Sequence, residues 1–168
     1  MLIKEKYNIK DTGTMFSFMP NKNSIKLSAV LLVILILGIS FLILYRAHLS
    51  EGILILLCVF VPYLIIHSLY DILIRSRICF IFDSEEKMVY RRSPFFPPKK
   101  LMAFNDIVIF SRKIGGTWFY AIGEKKKHLI KNYRISEDFS WNKHISPAQT
   151  DYETYLLLRI EELIRSRT

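Results

Sequence analysis

The hydrophobic positions of this chain form two long uncharged runs followed by a series of short alternating segments. Residues 27–45 and 52–70 contain no charged side chain, and each run is 19 residues long. A helix of that length extends about 28 Å, which is close to the roughly 30 Å hydrocarbon thickness of a bilayer. The remaining chain is too short to wrap two helices that are apolar on every face. A cleaved signal peptide is disfavoured because the first run starts late and lacks a small-residue cleavage site. The pattern therefore predicts two membrane-spanning helices.

The two predicted spans are joined by only a short segment, residues 46–51. A connection of that length can turn but cannot fold, so the helices should form an antiparallel hairpin over residues 27–73. Residues 1–26 form a basic tail with five lysines, and basic side chains recur after residue 73, whereas the connection carries only Arg46. The positive-inside rule then predicts a multi-pass protein of the cytoplasmic (inner) membrane with both termini in the cytoplasm. Much of the net charge of +9 is thus a topology signal, and it does not indicate nucleic acid.

Beyond the hairpin, the period of the pattern changes from helical to strand-like, which indicates a separate domain over residues 75–168. Residues 78–82 and 87–92 are predicted to form a first hairpin. The loop at residues 93–100 should interrupt the sheet, because its three prolines remove ladder donors. Residues 101–112 begin a new strand, which returns through Gly115 and Gly116 to a strand at residues 117–122. A fifth strand is predicted over residues 128–135.

The chain is predicted to end in an amphipathic helix over residues 147–165. Ser146 is a helix N-cap residue, Pro147 suits the first turn, and Gln149 completes a capping box. Apolar side chains then recur at helical spacing and should cover one opening of a small antiparallel sheet. The apolar segment at residues 15–20 of the tail has two interpretations, docking on lipid headgroups or adding an edge strand to the domain.

Several of these segments carry a resemblance to a known family: ICFIFDSEEKMVYRR, LMAFNDIVIF with its Phe104, Asp106 and Ile107, the GGTWFY return and the helix from Pro147. Together with the hairpin they resemble bacterial two-span membrane proteins with a YcxB-like or bacterial pleckstrin-homology-like (PH-like) cytoplasmic domain. The resemblance covers residue 27 to the end. It implies an α+β fold, with a transmembrane hairpin followed by a small antiparallel β-domain closed by a C-terminal helix. It also implies seven strands, and the two missing ones are assigned to residues 15–19 and 138–141.

Basic residues near the predicted membrane surface are the leading candidates for a binding site. The predicted lipid-contacting cations are Arg75, Arg77, Arg91, Arg92, Lys99 and Lys100. Each cation near an anionic leaflet contributes about 1 kcal/mol of attraction. Phe95 and Phe96 in the intervening loop are predicted to contact the membrane. The alternative is that these charges only determine topology and that the loop is ordinary and solvated.

A second candidate is the pair His67 and Asp71, which share a face at the end of the second span. Ionisable groups at membrane depth are often functional, although an interfacial carboxylate is also satisfied by a neighbouring His or a headgroup. The two cysteines, Cys58 and Cys79, have no metal-ligand spacing and no paired framework. No catalytic residue, metal site or cofactor is predicted, since neither a nucleophile motif nor a phosphate-binding loop is present.

These observations favour a non-enzymatic inner-membrane protein whose cytoplasmic domain recognises a protein or anionic lipid. The alternative is an immunity protein that neutralises a membrane-acting bacterial toxin, or an accessory subunit of a membrane complex. The expected partners are membrane lipids and a protein, such as a toxin or a membrane complex, but no nucleic acid. A homo-oligomer remains open, because two helices enclose a pore only by oligomerising.

Overall fold

The computed structural model describes residues 3–127, 130–140 and 146–165. Within these ranges the chain is a mixture of helix and antiparallel sheet, as expected for an α+β protein. It divides into two compact units. The hairpin unit comprises Asn23–Arg77, and the sheet unit comprises the chain up to Lys22 and from Ile78 onward. The residues predicted as an N-terminal tail therefore divide between the two units at Lys22.

The hairpin unit consists of two long apolar helices. Helix α2 spans Ser24–Tyr45 and helix α3 spans Glu51–Leu73, with 3₁₀ turns at Arg46–His48 and Arg75–Arg77. Both helices are long and apolar enough to cross a membrane, with mean hydropathies of 3.1 and 2.4 over their best windows. Most of their large apolar side chains are exposed, so the hairpin has an outer surface suited to lipid.

The first sheet of the sheet unit has five antiparallel strands in the order β1-β2-β3-β4-β5. A short helix α1 at Ile3–Tyr7 precedes the strands. Their bounds are β1 Lys10–Asp11, β2 Met15–Phe18, β3 Cys79–Asp83, β4 Met88–Ser93 and β5 Phe96–Ala103. Strand β2 pairs with β3 from Met15 opposite Asp83 to Phe18 opposite Phe80. The hairpin unit is therefore inserted between two hydrogen-bonded neighbours of one sheet.

This pairing decides between the two interpretations of residues 15–20, because the segment contributes a strand to the domain. It lies one strand in from the edge, since β1 pairs with its other side through Lys10 opposite Ser17. The side chains of Phe16 and Phe18 are buried on the inner face.

Two predictions about residues 93–112 were wrong. The proline-containing segment at residues 93–100 does not interrupt the sheet, because most of it belongs to β5. Strand β5 lies at the sheet edge, where one side of the strand needs no donors, and a bulge places Pro97 and Pro98 opposite a single residue, Arg92. The strand predicted to begin at residue 101 is divided by a 3₁₀ turn at Phe104–Asp106, which carries the chain from the first sheet to the second.

The second sheet has four strands built around β7. Its strands are β6 Ile107–Ile114, β7 Thr117–Glu124, β8 Asn132–Arg134 and β9 Phe139–Ser140. Strands β6 and β7 form the predicted hairpin through Gly115 and Gly116, whose φ angles of +50° and +61° suit glycine in a two-residue turn. Strands β8 and β9 both pair with β7. Of the predicted strand at residues 128–135, His128 and Leu129 lie outside the described residues, as does Trp141 of the segment 138–141.

A helix begins at Pro147 as predicted, with Ser146 as its N-cap, but the capping box is not completed, because the Gln149 side-chain amide donates to Glu153 Oε1 at 2.8 Å. Ser146 Oγ accepts a hydrogen bond from the Gln149 backbone N–H at 3.2 Å. The helix continues through α4 Pro147–Asp151, a π-helical turn at Tyr152–Leu157 and α5 Leu158–Arg165. Its buried residues are Tyr152, Leu156, Ile160 and Leu163.

The core of the sheet unit is largely aromatic. Phe18 is fully buried and stacks on Phe80 and Phe82, with ring centroids 6.1 and 6.2 Å away. The N-terminal segment joins this core a second time, because the ring of Tyr7 lies edge-on to Tyr152 at 5.5 Å. Residues 3–18 are thus part of the domain and bring it strands β1 and β2 and three buried aromatic rings.

Candidate functional site

The candidate binding surface is the hairpin formed by β4, β5 and the two-residue turn of Pro94 and Phe95, hereafter the basic hairpin. Ser93 pairs with Phe96 on either side of this turn. Because β5 pairs only with β4, the basic hairpin forms the edge of the five-stranded sheet. The hairpin contains no Asp or Glu from Met88 to Ala103. It is therefore an edge hairpin whose charged side chains are all positive.

The register of the hairpin brings four of the six predicted lipid-contacting cations together. Arg91 lies directly opposite Lys99, and both belong to the inner face, because Arg91 also pairs with the buried Phe80. Arg92 and Lys100 belong to the outer face, opposite Cys79 and Tyr90. Like charges directly opposite one another destabilise a strand pair, by roughly 0.2–1 kcal/mol. No ion pair with a carboxylate offsets this repulsion among the described residues.

Arg91 is the most constrained of these cations. Its side chain is half-buried, and the guanidinium carbon lies 6.0 Å from the centre of the Tyr133 ring. Its Nε atom is buried and makes no hydrogen bond within the described chain. A cavity of about 470 Å³ lies beside it, lined by Arg91, Ser93, Phe96, Pro97, Pro98 and Lys99. Two cations and one hydroxyl thus border a cavity with otherwise apolar walls, which is chemistry suited to an anion.

The turn of the basic hairpin exposes two aromatic rings. Phe95 is 66% exposed and Phe96 is 69% exposed. Leaving these two rings largely exposed forgoes stabilisation, since fully burying one phenylalanine side chain contributes about 1.5–3 kcal/mol. Apolar rings flanked by cations are typical of segments that enter the headgroup boundary of a membrane.

The remaining two predicted cations, Arg75 and Arg77, lie in the 3₁₀ turn at the end of α3, within the hairpin unit. Arg75 contacts Asp71, with Nη1 3.4 Å from Oδ1. The basic cluster predicted from the sequence thus belongs to two different elements.

The predicted pair His67 and Asp71 is close in the structure, and it has a third partner. His67 Nδ1 lies 3.8 Å from Asp71 Oδ2, and Ser28 Oγ donates a hydrogen bond to the same oxygen at 3.4 Å. Asp71 is 8% exposed and Ser28 is 7% exposed. One turn earlier on α3, Ser68 is buried and its hydroxyl has no partner among the described residues. The polar cluster therefore links the start of α2 to the end of α3.

Ser28 was not among the site residues predicted from the sequence. A single hydroxyl in an apolar run does not indicate by itself that it contacts a carboxylate. The antiparallel hairpin does predict that residues equally far from the connection are neighbours, and this places the region of Ser28 beside the region of Asp71.

Three tyrosines that lie in the core of the sheet unit or pack against it have raised pKa values. Burial raises the pKa of Tyr7, and the charge of Glu137 raises it further. Burial also raises the pKa of Tyr120, whose hydroxyl donates to Glu153 at 2.9 Å. Tyr152 is fully buried, has a raised pKa for the same reason, and donates to the Ile135 carbonyl at 2.9 Å. These phenols remain neutral at physiological pH. The rings of Tyr7 and Tyr152 pack the N-terminal segment against the C-terminal helix, and the Tyr120 hydroxyl joins β7 to the same helix.

The reactive side chains of the described chain do not converge. Burial raises the pKa of the Cys79 thiol, so it stays protonated near neutral pH. Within residues 3–127, 130–140 and 146–165, no three His, Cys, Asp or Glu side chains come together as a metal site.

Comparisons with protein-family models, with curated proteins and with solved structures found no match to this chain. The fold and the candidate site therefore define only a broad class: an α+β protein with two helices that are long and apolar enough to cross a membrane.

Proposed function

We propose that this chain is a non-enzymatic inner-membrane protein whose PH-like sheet unit lies in the cytoplasm and binds the anionic inner leaflet through the basic hairpin. One observation carries the proposal. The exposed rings of Phe95 and Phe96 stand at the turn of a hairpin whose four cations have no carboxylate partner among the described residues. An acidic lipid surface would relieve the repulsion between these cations and bury the rings in one step.

Two features support the topology. The charge bias favours both termini in the cytoplasm. Independently, β2 precedes the hairpin unit and β3 follows it, and these strands are hydrogen-bonded neighbours. This pairing supports a topology in which the segments before α2 and after α3 lie on the same side of the bilayer, as two spans would place them.

Charge and apolar area both contribute to the expected affinity. Four cations at about 1 kcal/mol each supply up to about 4 kcal/mol of attraction to an anionic leaflet, and salt weakens it over roughly 10 Å. Burial of the two phenylalanines adds a contribution that salt does not weaken. Because the hairpin unit already holds the chain in the membrane, this free energy orients the sheet unit on the leaflet.

The proposal is tested with the full chain, because residues 3–18 contribute strands and core side chains to the sheet unit. A Phe95→Cys variant that also carries Cys58→Ser and Cys79→Ser is labelled at position 95 with an environment-sensitive fluorophore and reconstituted into vesicles. We expect blue-shifted emission when phosphatidylglycerol is added to phosphatidylcholine vesicles, and reversal of that shift by high salt.

A test variant and a matched control each remove four positive charges, at different places in the sheet unit. Replacing Arg91, Arg92, Lys99 and Lys100 by Gln should abolish the response to phosphatidylglycerol. Replacing Lys125, Lys126, Lys127 and Lys131 by Gln removes the same charge elsewhere and should leave it. Equal responses of the two variants would show that the basic hairpin is not the lipid contact.

The alternative ligand of this surface is an acidic segment of a partner protein, as expected if this chain is an immunity protein or an accessory subunit. In that case the label would keep its aqueous emission on every vesicle, and crosslinks from position 95 in native membranes would join a protein instead of lipid. That result would contradict the lipid proposal.

A further inference from the structure

The hairpin unit contains a groove that the basic hairpin does not involve. It has a volume of about 690 Å³, within the roughly 300–1,000 Å³ range of sites that enclose a small ligand. On α2 it is lined by Ile39, Leu42 and Ile43, with Arg46 at its end. On α3 it is lined by side chains at helical spacing within residues 54–66. The groove therefore runs between two facing stripes of the antiparallel helices.

The groove has one polar end. Every lining side chain is apolar or a thiol except Arg46, which lies in the 3₁₀ turn that begins the connection. Arg46 is exposed and forms no ion pair with any carboxylate of the described chain. A cation at the membrane interface, at the mouth of an apolar groove, complements an amphiphile with an acidic headgroup.

The length of the groove distinguishes a lipid from a neighbouring helix. The stripe on α3 covers 12 residue steps, which corresponds to about 18 Å of helix. Half of a roughly 30 Å hydrocarbon core is about 15 Å, so the groove has the depth of a single leaflet. A second copy of a spanning helix would need a stripe along the whole hairpin, whereas this groove begins only at Ile39 on α2 and ends at Ile66 on α3.

Pro62 lies on the wall of the groove, in the interior of α3. A proline at this position cannot donate to the carbonyl of Cys58, and its ring crowds that carbonyl. Cys58 lines the groove as well, so the backbone carbonyl that Pro62 leaves without a helical donor belongs to a residue of the groove.

We infer that this groove binds one acidic phospholipid from the leaflet on the side of the connecting loop, with an acyl chain between α2 and α3 and the headgroup phosphate at Arg46. The inference rests on the membrane insertion included in the proposed function, but it does not depend on lipid binding by the basic hairpin.

The test is native mass spectrometry of the full chain released from nanodiscs that contain equal amounts of phosphatidylglycerol and phosphatidylcholine. We expect one retained lipid per chain, with phosphatidylglycerol in excess. Arg46→Gln should reduce that excess about fivefold, because one interfacial cation contributes roughly 1 kcal/mol of attraction to an anionic lipid. Lys26→Gln, near the other end of the hairpin, should leave the excess unchanged.

A second variant tests the groove itself. Val61→Trp should fill the groove and abolish retention of either lipid, whereas Ile55→Trp, at a 68% exposed position outside the groove, should not. Circular dichroism checks that each variant keeps its helices, and Leu57→Phe replaces Val61→Trp if that variant does not fold.

Three outcomes would overturn the inference. One is an unchanged phosphatidylglycerol excess in Arg46→Gln, and another is unchanged lipid retention in Val61→Trp. The third is a lipid-free dimer that Val61→Trp disrupts, which would assign the groove to a second copy. Alkaline carbonate extraction identifies a different failure: a chain released from membranes would contradict the insertion proposed above.

Discussion

The contribution of the N-terminal segment to the sheet unit gives a sharp quantitative prediction. The perturbation is Phe18→Ala on β2, with Met15→Ala on the same strand as its control. Phe18 is fully buried, whereas Met15 is 47% exposed. Because β2 is separated from β3 by the whole hairpin unit, an effect of Phe18 on the domain is an effect of long-range packing.

The magnitude follows from the environment of the ring. Phe18 stacks on Phe80 and Phe82 and also lies 5.9 Å from the ring of Phe16. Truncation of a buried phenylalanine to alanine costs about 3–5 kcal/mol, because the transfer free energy of the ring is lost and a cavity remains. At roughly 4 °C per kcal/mol for a unit of this size, the midpoint of unfolding should fall by about 12–20 °C. Met15→Ala should lower it by only a few degrees.

The assay is thermal unfolding of the detergent-solubilised full chain, followed by near-ultraviolet circular dichroism of the aromatic core. Ten of the twelve phenylalanines and both tryptophans lie outside the two apolar helices, the exceptions being Phe41 and Phe60. This signal therefore reports mainly on the sheet unit. Equal midpoints for Phe18→Ala and Met15→Ala would refute the assignment of β2 to the core of the domain.

Three further predictions concern charge and hydrogen bonding. The core tyrosines, such as Tyr152, should not ionise near pH 10 in the folded chain; because burial raises their pKa, the stability they provide is present below pH 10 and lost above it, and the phenolate absorbance that Tyr152→Phe removes should appear only with unfolding. Ser28→Ala should lower the stability of the helix pair by about 0.6 kcal/mol, an average interhelical hydrogen bond, whereas Ser40→Ala should not, because the Ser40 hydroxyl bonds within its own helix; thermal denaturation in detergent would measure both. Arg159→Gln should cost less than about 1 kcal/mol, since both members of its ion pair with Asp11 are partly exposed. The Arg159 hydrogen bond lowers the pKa of Asp11, so this contribution is present above about pH 4 and is lost as the pH falls further, which a pH series of unfolding midpoints would detect.

The elements that the sequence predicted well are those with local causes. The apolar runs predicted α2 and α3, because an uncharged run of this length matches a helix that is long enough to cross a bilayer. Gly115 and Gly116 produce the β6–β7 turn through their own backbone freedom, and Ser146 caps the C-terminal helix through a bond to Gln149 three residues away. Each of these depends on neighbouring residues only.

The features that were missed depend on distant partners. Pro97 and Pro98 are tolerated because β5 lies at the edge of its sheet. The residues of a strand do not by themselves indicate whether it is an edge strand. Similarly, the role of residues 15–18 was undecided because their partner strand lies beyond the hairpin unit. The division of residues 101–112 follows from the change of sheet at Phe104, which alternation alone does not indicate.

For the candidate site, the residue types were predicted, but their arrangement was not. The sequence indicated the cations and the two phenylalanines as one loop. Only the strand register shows that Arg91 and Lys99 share the inner face while Arg92 and Lys100 share the outer face. The cavity beside Arg91 is likewise a product of the bulge and the edge position.

The most direct test of lipid binding by the basic hairpin compares the depth of two hairpin turns in one membrane. Spin labels are placed at Phe95→Cys on the basic hairpin and at Ile114→Cys on the β6–β7 hairpin, both in the full chain with Cys58→Ser and Cys79→Ser and in vesicles containing phosphatidylglycerol. Oxygen and a water-soluble nickel complex serve as relaxation agents, since oxygen concentrates in the hydrocarbon and nickel in water. If the basic hairpin binds the leaflet, position 95 is accessible to oxygen and protected from nickel, while position 114 shows the reverse. Aqueous accessibility at position 95, equal to that at position 114, would contradict it.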